Sequence, residues 1–75
     1  MNKARRKALE KISDKLMELQ VDLQYVHEEE EEAFDNMPES LQESERGDEI
    51  QEALSTMENA DGAIQEAIDY LSDLL

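Results

Sequence analysis

Pro38 is the only proline in the chain, and it interrupts what would otherwise be one long amphipathic pattern. Proline lacks the N–H that a helix interior needs and biases the preceding residue away from helical geometry. A helix arriving from upstream must therefore stop before Met37 and Pro38, and Asp35-Asn36-Met37-Pro38-Glu39-Ser40 is the single clear break. Upstream, no glycine or proline occurs between Asn2 and Met37, and Asn2 suits the N-cap of a helix beginning at Lys3. Downstream, Ser40-Leu41-Gln42-Glu43 has the form of a capping box, and Ser44 offers a second cap four residues later. Ser44 is the better start, because it places Gly47 early in the second helix, where glycine is tolerated. The pattern predicts an all-α chain with a single helical-hairpin domain over residues 1–75. Its helices cover about 3–35 and about 45–74, joined by a connector over about 36–44. The second helix then folds back as the antiparallel arm of a two-helix hairpin, with Phe34, Met37 and Leu41 plugging its closed end.

Both helices carry heptads. Leu9, Leu16 and Leu23 take the a positions of the first, and Ile12, Leu19 and Val26 take d, one narrow seam of the kind that coiled coils use. Glu30 ends the seam, and Ala33 and Met37 resume it weakly. In the second helix Ile50, Met57, Ile64 and Leu71 fall at a, and Ala53, Ala60, Ala67 and Leu74 at d. Leu54, Ile68 and Leu75 broaden that face at e, where Asp61 is the polar exception. Asp61-Gly62 is a turn signal, but the a positions keep their phase across it, so the helix is expected to continue. A hairpin is one layer thick, and a face this broad suits two neighbouring helices. The expectation is a homodimer that forms a four-helix bundle or coiled-coil-like assembly. A thinner stripe, Met17, Val21 and Tyr25 at i, i+4 and i+8, lies roughly opposite the leucine seam and is a candidate contact face for another protein.

Charge is the other constraint. The net charge is −14, yet six of the seven cations lie in the first fifteen residues, and Glu28, Glu29, Glu30, Glu31 and Glu32 follow His27 without interruption. Such acidity argues against direct binding of nucleic acid or an anionic membrane. No apolar run exceeds two residues, so no membrane span is expected and the location should be cytoplasmic. An antiparallel arrangement would bring the second helix's N-terminus to the glutamates, and Glu66, Asp69 and Asp73 to the basic start, which would relieve both mismatches with the helix dipoles.

Chemistry-bearing patterns are missing. There is no cysteine, one histidine and no glycine-rich phosphate loop, so no catalytic set, cofactor or metal site is expected. Asp61-Gly62-Ala63-Ile64 resembles the middle of a calcium loop, but Met57 and Ile68 occupy the positions of its two strongest ligands. A di-iron bundle needs Glu three residues before His27, and Gln24 stands there. The expected function is that of a non-enzymatic acidic protein-interaction module. Glu28–Glu32 would serve as a phosphate-like row for a basic-grooved host protein. The alternative is a structural or assembly accessory that docks by helix–helix packing through Met17, Val21 and Tyr25.

The connector from Asp35 to Arg46 resembles one found in small uncharacterised acidic helical-hairpin proteins of phages, prophages and Gram-positive gut bacteria. The likeness extends in composition over most of the chain: a charged first helix and a second rich in Ala, Leu and Ile. That group has no known activity and transfers no functional residues. The resemblance implies a bacterial or phage-infected host cell, where small acidic proteins inhibit host machinery.

Overall fold

A computed structural model covers residues 1–75 and contains α1 (Lys3–Asp35), α2 (Glu39–Gln42) and α3 (Glu45–Leu74), with no strand. The two long helices pack side by side as an antiparallel hairpin. Asn2, in extended geometry, starts α1 by accepting the Arg5 N–H at 2.8 Å. Ser44 does the same for α3, accepting the Gly47 N–H at 3.4 Å, while its own hydroxyl donates to the Leu41 carbonyl. Each cap satisfies a donor that the helix itself leaves unpaired. Between them α2 is a single helical turn. It begins after Pro38, whose carbonyl accepts from Leu41 at 2.8 Å and Gln42 at 3.0 Å.

Two residues lock this turn against the long helices. The Gln42 side chain reaches back to the end of α1, donating to the Phe34 carbonyl at 2.9 Å and the Met37 carbonyl at 3.1 Å. Those carbonyls belong to a helix terminus, where intrahelical donors have run out. Gly47 is buried, and a Cβ placed on it would lie 2.0 Å from the Gln42 carbonyl oxygen and 2.8 Å from that of Leu41. Only glycine lets the first turn of α3 touch the α2 backbone. Its place early in the helix is thus a packing requirement and not mere tolerance. Gly62 is the opposite case, with nothing within 4 Å of its virtual Cβ, and α3 runs through Asp61-Gly62 unbroken.

The pairing register follows from two side-chain contacts. Gln20 meets Gln65 at 3.0 Å, and His27 Nε2 lies 3.5 Å from a Glu58 oxygen. In that register Leu19 is level with Ala67 and Ile12 with Leu74, the last residue of α3. The turns from Lys3 to Lys11 therefore stand beyond the second helix. This corrects the expected charge pairing. No lysine or arginine has a carboxylate within 4.0 Å, because most of the basic start has no α3 beside it. At the other end, Glu28–Glu32 lie level with the stretch from Leu54 to Glu58, about two turns inside α3. A helix-end dipole acts mainly over its terminal turn, so it does not reach them.

The seam also differs from the simple heptad. Residues of α1 that lose the most exposure run Leu9, Ser13, Leu16, Gln20, Leu23, His27, Glu30 and Phe34, which are a and e positions. On α3 they run Gly47, Ile50, Ala53, Leu54, Met57, Asp61, Ile64, Ala67, Ile68 and Leu71, mostly a and e, with two alanines at d. The leucines at a face the partner helix as expected; the large d residues Ile12, Leu19, Val26 and Leu74 stay exposed. The broad a/e edge of α3 draws the corresponding edge of α1 against it, although α1 carries Ser, Gln and His there. Phe34 and Met37 are half-buried at the closed end, whereas Leu41 is exposed.

Candidate interaction surface

At 100° per residue, d lies on one side of a and e on the other. Centring each helix on its a/e edge turns d about 80° away from the partner helix. In an antiparallel pair this is the same side for both helices. One broad face of the hairpin therefore carries Ile12, Leu19 and Val26 from α1, level with Leu74, Ala67 and Ala60 from α3. Ile12 is 48% exposed, Leu19 56% and Val26 51%, whereas Ile68 is the only buried apolar side chain, at 5%. Large apolar side chains thus line both the packed a/e edges and this outward face. The opposite broad face is polar at its corresponding positions, with Gln24 and Glu31 on α1 and Gln51, Glu58 and Gln65 on α3, interrupted by Met17.

The d face is not flat. Toward the closed end it opens into a cleft of about 430 Å³ lined by Glu30, Ala33, Met37, Leu41, Arg46 and Ile50. Glu30 occupies an a position there, half-buried, with no cation within 4.0 Å. Four of its six lining residues are apolar, and the other two are one acid and one arginine.

Met17, Val21 and Tyr25 project from the side of α1 away from the d face, and all three are exposed, Tyr25 at 63%. Val21 and Tyr25 join Gln24 and Glu28 around a groove of about 170 Å³. The stripe and the glutamate row thus meet at Glu28. Of the row, Glu28, Glu29, Glu31 and Glu32 are exposed, and Glu31 alone lies near a basic side-chain nitrogen, His27 Nδ1 at 3.5 Å.

His27 and Asp61 form the polar break in the a/e seam. With Leu23, Gln24, Met57 and Glu58 they surround a cleft of about 150 Å³. His27 Nε2 and Asp61 Oδ1 are shielded from solvent and make no hydrogen bond. His27 faces carboxylates on both helices, Glu31 and Glu58. The cluster lacks a nucleophile, and no group of three or more metal-ligating side chains converges anywhere in the molecule. No helix is long and apolar enough to cross a membrane.

Sequence reasoning singled out Met17, Val21, Tyr25 and Glu28–Glu32, and the structure leaves all but Glu30 exposed. It did not single out the d residues as a surface, because it placed them in an a/d seam, and the polar e residues Ser13, Gln20 and His27 gave no sign that they face inward. It also passed over Gln42, whose role depends on three-dimensional closure of the connector. The sequence matches no family model, and no curated protein or solved structure is similar to it.

Proposed function

We propose that this protein is a non-enzymatic interaction module that works by helix–helix packing, with its acidity restricting which surfaces it accepts. The observation that supports this is the apolar surface left in water: Ile12, Met17, Leu19, Val21, Tyr25 and Val26 are each about half exposed or more, and only Ile68 is buried outright. Leaving such groups in water forgoes roughly 1.5–3 kcal/mol for each side chain that could be fully buried. A contiguous exposed apolar patch on a small soluble chain is a characteristic mark of an interaction site. Met17, Val21 and Tyr25 form the strip that a helix of another protein would cover, lying at i, i+4 and i+8.

A second function, phosphate-like presentation of Glu28–Glu32 to a basic-grooved protein, is favoured by one observation: Glu28, Glu29 and Glu32 are exposed and have no cation beside them. The two are separated by comparing proteins retained by the wild type, by Val21→Ser with Tyr25→Ser, and by a form with Gln at all five glutamate positions. Packing predicts that the serine form loses the retained protein at low and high salt alike, while the glutamine form keeps it. Loss in the glutamine form and in high salt, with retention by the serine form, would overturn packing in favour of charge mimicry.

A further inference from the structure

The Met17 strip and the d face point away from each other, so one partner helix cannot cover both. We propose that the d face is covered by a second copy of this chain, turned end for end about a two-fold axis that passes beside Leu19. This rests on treating the exposed apolar side chains as docking surfaces, but it does not depend on which outside protein binds the Met17 strip.

Area allows it. The broad face measures 58 × 15 Å between Cα extremes, an outline of roughly 870 Å², against about 800 Å² that each partner contributes to a standard stable interface. The chain exposes 5824 Å², whereas a compact monomer of this mass exposes about 4,700 Å². The unburied excess is therefore of the order that a dimer removes.

Charge chooses the orientation. Two copies can stack d face on d face with their closed ends together or at opposite ends. The first arrangement presses Glu28–Glu32 and the acidic start of α3 against the same groups of the other copy. The second lays the basic overhang of α1 along the acidic half of the other α1.

Shape and register then agree with the end-for-end arrangement. Leu19 is the midpoint of α1, which spans Lys3–Asp35, so an axis there overlays the whole helix on its copy. Ile12 falls against Val26 of the other chain, and Leu19 against Leu19. On the second helix Ala67 falls against Ala67, and these small side chains let the backbones approach closely. Beside the apolar row, Lys15 comes level with Asp22 of the other copy; both are exposed and neither has an ion-pair partner within its own chain. Farther out, Arg5, at the next d position, comes level with the cleft that holds Glu30. The unpaired acid in that cleft and the unpaired arginine on the overhang are each supplied with an opposite charge.

Sedimentation equilibrium of the purified protein at micromolar concentrations, with a charge swap, tests the proposal. The wild type should be dimeric. Lys15→Glu alone, or Asp22→Lys alone, sets like charges against each other twice and should raise the dissociation constant about tenfold. Both together in one chain should restore the wild-type value, which an effect on the fold of either helix would not do. Leu19→Cys, in a chain with no other cysteine, should form a disulfide-linked dimer on oxidation. A wild type that stays monomeric overturns the proposal. So does a dimer that the paired swap fails to restore, since closed ends together would not set Lys15 beside Asp22 of the other copy. Circular dichroism of each variant checks that helix content is kept. If Leu19→Cys loses it, the exposed charge swap still decides.

Discussion

In the connector, Gly47 touches the α2 backbone and Gln42 bonds two carbonyls at the end of α1, so each position accepts essentially one side chain. In the stem, the helices meet along edges that mix Leu and Ile with Ser13, Gln20, His27 and Asp61, and Ile12, Leu19, Val26 and Leu74 are left facing outward. The closed end is specified by sterics and hydrogen bonds within one chain. The stem is specified only in part by that chain, because a two-helix layer has no second layer to bury its d residues. A hairpin can thus fix its turn firmly while leaving large apolar residues of its stem exposed.

Three substitutions test that contrast. The largest effect is expected at Gly47→Ala. A Cβ 2.0 Å from a backbone oxygen forces α2 and α3 apart, costing about 3 kcal/mol in a urea unfolding curve. Next is Gln42→Ala, which removes the donor from the Phe34 and Met37 carbonyls and should cost about 1–2 kcal/mol by the same measurement. The smallest effect has the opposite sign. Gly62→Ala meets no atom within 4 Å and should stabilise the protein by about 0.5–1 kcal/mol, because alanine costs less backbone entropy in a helix. If the two glycine replacements shifted stability alike, the contrast between locked turn and open stem would fail.

Much of the fold was legible from residues. Asn2 and Ser44 as caps, Pro38 as the stop and the unbroken phase across Asp61-Gly62 specify two long helices and a reversal. What sequence could not supply was rotation about each helix axis. Leu16 and Leu19 are equally good seam residues on paper, and only the width of the α3 face decides that Leu16 turns inward. The charge argument gave the right topology through contacts that do not form, since no lysine or arginine has a carboxylate within 4.0 Å. The short connector alone required the antiparallel path. Of the candidate surface, the Met17 strip and the glutamate row were visible as patterns, whereas the d face became a surface only once a and e were known to be covered.

The dependence of thermal unfolding on protein concentration asks most directly whether the stem is completed by a second chain. Dimerisation coupled to folding makes the midpoint rise with concentration, because mass action stabilises the associated state. Circular dichroism melts over a hundredfold concentration range should show the midpoint climbing steadily, with Leu19→Lys abolishing the climb. A midpoint independent of concentration in the wild type would contradict it, and would mean that this hairpin is stable with its apolar face in water.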